Sequence, residues 1–162
     1  MESITLDIMS AKDAVGICRI LQHDKVKKTY MVPDLSDSAA LELAQRMIHL
    51  SGNECRYVRG IYWGQTLIGI MNDVGIDGGT IELGWAIDPM YHGRGFATEA
   101  VCAAIQELFA MGYTQVIAGA FSENAASIRV MEKAGMRKQE KTEEIEYRGQ
   151  IHPCVYYARS KE

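Results

Sequence analysis

A strand-like run followed by two closely spaced glycines is the part of this chain best suited to bind an anion. Residues 81–99 contain a short apolar strand, then Asp88-Pro89, then a turn that carries Gly93 and Gly95, then a helical pattern. The first N–H groups of a helix have no intrahelical acceptor, and the helix dipole favours negative charge at that end. A glycine turn that leads into a helix therefore offers several N–H groups to one ligand. The segment predicts a binding site for a phosphorylated molecule.

Two common phosphate-binding motifs do not fit this segment. A dinucleotide-binding motif needs a third glycine and an acidic residue at the end of the following strand. Here Ala97 and Thr98 follow the Gly-x-Gly pair, and the next predicted strand, 115–120, has no acid at its end. A P-loop ends in Lys followed by Ser or Thr, and that pair is absent from the turn.

Three blocks of the chain form a recognisable set, ELGWAIDP at 82–89, HGRGFATEA at 92–100 and NAASIRVMEKAGM at 124–136. Together they resemble the GNAT family of N-acetyltransferases, in the branch of the ribosomal-protein N-terminal acetyltransferases RimJ and RimL. Weaker similarity extends over essentially the whole chain. The resemblance implies the GNAT fold, a mixed α/β (α+β) architecture. In that fold a central, mostly antiparallel sheet contains one splayed parallel strand pair and is flanked by helices.

The resemblance also implies acetyl-CoA as co-substrate and no metal. The pantetheine arm would lie between the splayed strands, on the backbone of Ala86 and Ile87, where N–H groups would also meet the oxyanion. The pyrophosphate would bind N–H groups of the turn. The implied cofactor-binding residues of the turn are His92, Gly93, Arg94, Gly95, Phe96, Ala97 and Thr98. The family's motif usually begins with Gln or Arg where this chain has His92. Arg94 is expected either to contact the phosphates or to point to solvent.

Glu82 is the predicted catalytic base. An alkylammonium group with a pKa of about 10 is mostly protonated at neutral pH, so a base or a water chain helps to release the free amine. Strand alternation puts Glu82 on the face opposite Ile81 and Leu83. Related acetyltransferases often carry a glutamate at this position. A surface or salt-bridged carboxylate is the alternative interpretation.

Ser127 is the predicted hydrogen-bond donor to the leaving thiolate. Many family members place a tyrosine where this chain has Met131, but in the RimJ and RimL branch a serine three residues after the block's asparagine is the proposed donor. A thiol with a pKa of about 8.5 needs little acid assistance. We therefore expect Ser127 to be both catalytic and cofactor-binding, or else an ordinary first-turn serine. Asn124 is expected to cap the helix, to contact the cofactor, or both.

The predicted reaction is direct acetyl transfer to a primary amine in a ternary complex, with a protein N-terminal α-amine as the first candidate. Small amines (polyamines, aminoglycosides or amino-acid-like compounds) and a non-catalytic acetyl-CoA sensor are the alternatives. The acceptor groove is expected near Tyr30-Met31 and the loops at 72–77 and 143–149. Acids there could attract a cation: Asp73, Asp77, Glu143, Glu144 and Glu146. A homodimer is possible, although no apolar stripe identifies an interface.

The apolar periodicity predicts the elements that must position these residues. Strands are predicted at 4–8, 56–62, 66–72, 80–87, 115–120, 136–142 and 151–160. Helices are predicted after Ser10, from Ser36 or Asp37 to the end signal Ser51-Gly52-Asn53, at 94–111 and after Asn124. A right-handed helical crossover makes 80–87 and 115–120 parallel. No linker or repeat interrupts the pattern, so residues 1–162 are expected to form a single domain.

Composition narrows the class of protein. The chain is 48% hydrophobic and 23% charged, which is typical of globular proteins. It has no apolar run long enough for a bilayer and no signal-peptide pattern, so we expect a cytoplasmic protein without a membrane partner. The net charge of −4 disfavours a nucleic-acid partner. Scattered Cys18, Cys55, Cys102 and Cys154 predict reduced, mostly buried thiols.

Overall fold

The computed structural model describes residues 3–162, and its central feature is one seven-stranded sheet. The helices are α1 (Ala14–Gln22), α2 (Asp24–Lys27), α3 (Asp37–Ser51), α4 (Phe96–Ala110) and α5 (Ala125–Lys133). The strands are β1 (Ile4–Asp7), β2 (Val58–Trp63), β3 (Thr66–Asp77), β4 (Thr80–Ile87), β5 (Gln115–Phe121), β6 (Arg137–Tyr147) and β7 (Gln150–Ser160). They lie in the order β1-β2-β3-β4-β5-β7-β6. Within residues 3–162, β4 and β5 are the parallel pair, and the other neighbours are antiparallel. This is the predicted mixed α/β fold.

Each face of the sheet has its own apolar core. On one face, Ile81 and Leu83 of β4 pack with Val101 and Ile105 of α4. On the other face, α1 and α3 cover β2 and β3, and the buried side chains include Ile17, Ile20, Ala44, Val58 and Ile70. Because side chains alternate along a strand, Glu82 lies on this second face, as predicted.

The helix after the glycine turn begins at Phe96, two residues later than predicted. Gly93 and Gly95 have φ angles of 74° and 80°, in the left-handed region that glycine enters without a steric penalty. A right-handed helix cannot continue through such a residue, so Gly95 sets the first residue of α4. At the other end, Gly112 has a φ of 109° and follows the helix, where glycine commonly takes a left-handed conformation.

β3 is longer than predicted, because residues 72–77 belong to the strand and not to a loop. They pair with β4 across a two-residue turn at Gly78-Gly79. A register shift between Asp73 and Gly75 marks a β-bulge at this point. The β-branched residues of this segment favour a strand even though a glycine separates them.

The last hairpin is also longer than predicted. β6 continues to Tyr147, and the expected loop shrinks to a two-residue turn in which Arg148 and Gly149 have φ angles of 52° and 75°. Positive φ at both positions is the geometry of a tight hairpin turn that follows the twist of the strands. Arg148 Nη2 donates to the carbonyl oxygen of Val32 over 2.7 Å. The tip of this hairpin therefore contacts the segment between α2 and α3.

The burial of the four cysteines differs from the prediction. All four cysteines are free thiols, but only Cys154 is buried, so the prediction of mostly buried thiols is wrong. Cys55 is exposed because it lies in the turn between α3 and β2.

Among residues 3–162, no helix has the length and apolar character needed to cross a membrane.

Candidate functional site

β4 and β5 pair over only part of their length. Their register runs from Thr80 opposite Gln115 to Leu83 opposite Ala118. Beyond that point β4 stays paired with β3, and β5 stays paired with β7. The two strands therefore diverge, as predicted, and leave a gap between residues 84–87 and 119–121. The gap is closed at Leu83 and opens toward the glycine turn, residues 92–95.

Two residues of β4 direct their backbone groups into the gap. In an antiparallel ladder, opposed residues alternate between hydrogen-bonded and non-bonded pairs. Asp88 N donates to the carbonyl oxygen of Ile68 over 2.7 Å, so Ala86, two residues earlier, also bonds to β3. Trp85 and Ile87 consequently face the gap. The prediction named Ala86 beside Ile87, and Ala86 does line the same cleft, but its backbone groups bond to β3.

The glycine turn leaves the first N–H groups of α4 open to the cleft. The first intrahelical bond runs from Glu99 N to the carbonyl oxygen of Gly95 over 3.1 Å. The N–H groups of Phe96, Ala97 and Thr98 precede it, and Gly95, as N-cap, has no side chain to cap them. All three residues line a cleft of about 510 Å³ at the mouth of the gap. Uncapped donors at a helix N-terminus attract anions.

Three cationic side chains also line the cleft. Lys25 comes from α2, and Arg129 and Lys133 come from consecutive turns of α5. Within the part of the chain that the structure describes, none of the three forms an ion pair. They add positive charge to the lining of the cleft. The four-residue spacing of Arg129 and Lys133 was the available sequence signal for this feature.

An aromatic cluster holds the glycine turn against the sheet. Trp63 of β2, Tyr91 and Phe96 have ring centroids 5.4–6.4 Å apart. The guanidinium of Arg94 lies 4.5 Å from the Trp63 ring centroid and 5.0 Å from that of Phe96. This is cation–π geometry. The Arg94 side chain does not line the cleft, a position that the sequence did not predict.

Polar contacts fix the chain between β4 and the glycine turn. The buried Asp88 carboxylate accepts hydrogen bonds from Met90 N over 3.0 Å and from Arg19 Nη2 over 2.5 Å. The ring of His92 lies with Nε2 2.8 Å from the carbonyl oxygen of Ile87. Since a carbonyl only accepts, Nε2 must carry the proton in this contact. His92 therefore fastens the turn to the end of β4.

Asn124 and Ser127 lie on the wall of the cleft that α5 provides. Asn124 Oδ1 accepts from Ser127 N over 3.1 Å, which is the predicted N-cap. Asn124 Nδ2 donates to Ser127 Oγ over 3.0 Å. Because Ser127 Oγ accepts from a side chain, its own proton is left to donate elsewhere.

Glu82 lies at the closed end of the gap, outside the set of residues that line the cleft. It pairs in register with Ile117, one position before the last β4–β5 pair. Burial raises the pKa of its carboxyl above the ordinary value, while Lys141 lowers that pKa and Glu143 raises it. A half-buried carboxyl with a raised pKa, next to a gap, has the properties of a proton acceptor.

Tyr156 connects the face that carries Glu82 to β6. Its ring lies against Gly119 of β5, where an added Cβ would lie 2.7 Å from Tyr156 Cε1. Its phenol donates to Glu143 Oε2 over 2.8 Å, and Lys141 Nζ lies 3.2 Å from Glu143 Oε1. Lys141 Nζ is also 4.6 Å from the Tyr156 ring centroid. The pKa of Glu143 is lowered, mainly by the hydrogen bond from Tyr156 and secondly by the hydrogen bond from Lys141.

The comparison with known families agrees with this geometry. The model of the acetyltransferase (GNAT) domain matches residues 3–137 of the 162. The chain belongs to the GNAT family of acetyltransferases.

Individual relatives and structures show how far the similarity extends. The uncharacterized N-acetyltransferase YnaD of Bacillus subtilis is 41% identical over 61 residues, which cover 37% of this chain and 36% of that relative. The uncharacterized N-acetyltransferase YoaA of Bacillus subtilis is 27% identical over 147 residues, covering 85% of this chain and 81% of its own length. RimL, a ribosomal-protein acetyltransferase solved in complex with coenzyme A, has a TM-score of 0.86 at 16% identity and covers 98% of this chain and 94% of its own. At that identity the likeness shows the GNAT fold alone.

One acid that was predicted for the acceptor groove of this GNAT chain is structural. Asp73 is buried and receives two bonds from Arg56 Nε and one from its Nη2, at 2.7–3.0 Å, and a 2.7 Å bond from Tyr57 N. The Arg56 guanidinium therefore already balances its charge within the bulge of β3. Asp77, Glu144 and Glu146 are exposed on strand ends.

Tyr30, which was predicted near the acceptor groove, lines the cleft together with Trp85 and Ile87. Its phenol donates to Asn72 Oδ1 over 2.8 Å. Burial raises the pKa of Tyr30 to about 12, so the phenol stays protonated. No sequence motif predicts this contact, because it joins Tyr30 to Asn72 of β3, 42 positions away in the chain.

Proposed function

We propose that this GNAT protein transfers the acetyl group of acetyl-CoA to a primary amine while both substrates are bound. The observation that carries the proposal is the gap between β4 and β5 that leads into an uncapped glycine turn. An extended arm with exposed amide groups fits the gap, and a pyrophosphate fits the donors at its mouth.

The residues present fit coenzyme A in three parts. The N–H groups of the turn and of the first turn of α4 would hold the pyrophosphate, from Arg94 to Thr98, with Gly93 and His92 adjacent. Lys25, Arg129 and Lys133 would meet further phosphate charge. The freed backbone of Trp85 and Ile87 would hold the pantetheine amides, and Asn124 and Ser127 would flank the arm from α5. Bound acetyl-CoA would supply the activated thioester.

The chain's own groups would then divide the work of acyl transfer. Glu82 would accept the proton of the incoming ammonium group. Its raised pKa lies closer to the pKa of that ammonium group than the pKa of an ordinary glutamate does. The N–H of Trp85 would donate to the carbonyl oxygen as negative charge develops there. Ser127 Oγ, whose proton is not used by Asn124, would donate to the leaving sulfur.

The acceptor that we propose first is a protein N-terminal α-amine. The support is the fold that the chain shares with RimL, whose name describes a ribosomal-protein N-acetyltransferase. A small cationic amine is the second candidate, and a specific contact favours it. Lys141 places its own alkylammonium on the Glu143 carboxylate and over the Tyr156 ring, which is the kind of environment that binds such cations.

One experiment tests the proposed function. Acetyl-CoA well above its Kd is expected to raise the Tm of the protein. Release of free CoA is then measured with short N-terminal peptides, polyamines and aminoglycosides as acceptors. An enzyme releases CoA with at least one acceptor class, faster than with none. A raised Tm without acceptor-dependent release across the panel would favour the sensor alternative.

A further inference from the structure

Tyr30 lines the cleft and packs against the core on the face that α1 and α3 cover. Its backbone N donates to Val26 O over 2.9 Å, and its phenol donates to Asn72 Oδ1 over 2.8 Å. Contacts at both ends of the residue fix the ring in one place. Tyr30 packs at the edge of the core that contains Ala86.

The register of the sheet gives the position of this ring along the gap. Asn72 is opposite Gly84 in the β3–β4 ladder. Gly84 is the first residue of β4 beyond the last β4–β5 pair, which is Leu83 opposite Ala118. The hydroxyl of Tyr30 is therefore level with the closed end of the gap. The glycine turn lies at the other end, after Ile87.

A coenzyme A thioester has its phosphates at one end and its acyl group at the other. With the phosphates on the glycine turn, the acyl group lies at the closed end, beside Tyr30. Gly84 contributes no side chain there, and a Cβ on it would lie 3.1 Å from Val74 Cγ2 and 3.7 Å from Asn72 Oδ1. The space at this end is thus bounded by the Tyr30 ring and by Asn72.

We infer that the Tyr30 ring, held by Asn72, limits the length of the acyl group that this protein accepts. The inference rests on the proposed function, because it uses the orientation of the coenzyme A thioester in the gap. A two-carbon acyl group fits between the ring and β4, whereas a four-carbon acyl group meets the ring. Tyr30 is in this sense a specificity-determining residue for the acyl donor.

The test compares acetyl-CoA with butyryl-CoA in two measurements, the ratio of kcat/KM values and the ratio of Kd values. Tyr30→Ala is expected to shift both ratios toward butyryl-CoA by about tenfold or more, since one or two methylene groups in an apolar pocket discriminate at this level. Tyr30→Phe keeps the ring and is expected to keep the preference for acetyl-CoA.

Tyr113→Ala is the matched control. Tyr113 is a partly buried tyrosine between α4 and β5, at the opposite end of β5 from the gap. The Tyr113→Ala substitution is expected to leave both the kcat/KM ratio and the Kd ratio unchanged. Tyr30→Leu serves as a second shortened variant if Tyr30→Ala does not fold.

The inference is overturned if a folded Tyr30→Ala or Tyr30→Leu protein keeps the wild-type ratios. An unchanged Kd ratio would overturn the inference even in a protein without turnover, because the Kd ratio tests acyl-chain selection without requiring catalysis. Failure of the proposed function has a different signature, namely wild-type protein that releases no CoA from either donor with any amine.

Discussion

The two sides of the gap are built in different ways. On the glycine-turn side the ligand-facing groups are mainly backbone N–H groups, set by Gly93, Gly95 and the end of β4. On the side that we propose for the acceptor, the functional groups are side chains from separate strands, namely Glu82, Tyr156, Glu143 and Lys141. Backbone donors depend on the path of the chain, whereas side-chain groups change with each substitution. One fold can therefore keep one donor and serve many acceptors.

The largest expected effect is on the acceptor side, where Glu82→Gln removes the proposed base. Its kcat should fall by about 10²–10⁴-fold while the Kd for acetyl-CoA stays the same. A base acts when it is deprotonated, so wild-type kcat/KM should rise with pH through a midpoint above the ordinary glutamate value of 4.5. Rates and calorimetric binding measured across pH provide the check. A variant that retains full kcat would show that Glu82 is a structural carboxylate.

Gly95→Ala changes the backbone-built side. Left-handed backbone costs alanine about 1 kcal/mol, and the new Cβ enters the space in front of the N–H donors. We expect the Kd for acetyl-CoA to rise about tenfold or more through loss of these charge-assisted contacts. Gly112→Ala is the matched control, because both glycines have positive φ and a Cβ added at either would meet no atoms within 4 Å. Equal losses of affinity in the two variants would refute a specific role for Gly95.

Arg94→Ala tests whether the Arg94 guanidinium packs on the Trp63 ring or binds the phosphates of acetyl-CoA. If Arg94 only packs on the Trp63 ring, the Tm should fall by about 2 °C. The salt dependence of acetyl-CoA binding should be unchanged. Thermal melts and binding at two ionic strengths measure both quantities. A weaker salt dependence in the variant would assign Arg94 to the phosphates instead.

The smallest expected effect comes from Lys141→Ala. Lys141 lowers the pKa of Glu82, so its removal should raise that pKa further. The acidic limb of the pH–rate profile should then move to higher pH by a fraction of a unit. Lys138→Ala, an exposed residue of the same strand, is the control. A shift in the opposite direction would contradict the proposed proximity of the two charges.

Local patterns in the sequence predicted the glycine-turn side well. Strand 80–87 was placed correctly, and the parallel pairing with β5 followed from the helix between them. The turn at Gly93 and Gly95 was read from their spacing before a helix, and both residues have the positive φ that glycine allows. The Asn124 cap was likewise a local feature, since it depends on residues three positions apart.

The acceptor side was harder to predict because its contacts join distant parts of the chain. Tyr156 meets Gly119 and Glu143 only through the order of β5, β7 and β6. The burial of Asp73 depends on a bulge and on Arg56, neither of which alternation reveals. Even Arg94, inside the motif, turned toward a tryptophan from β2.

The position of β7 has a consequence for how the protein is made. β7 follows the other six strands in the chain, yet it lies between β5 and β6 in the sheet. While the ribosome is still synthesising β7, the outer edge of β5 has no neighbour and can pair with another nascent chain. A stop codon that removed β7 would therefore turn an internal strand into an aggregation-prone border.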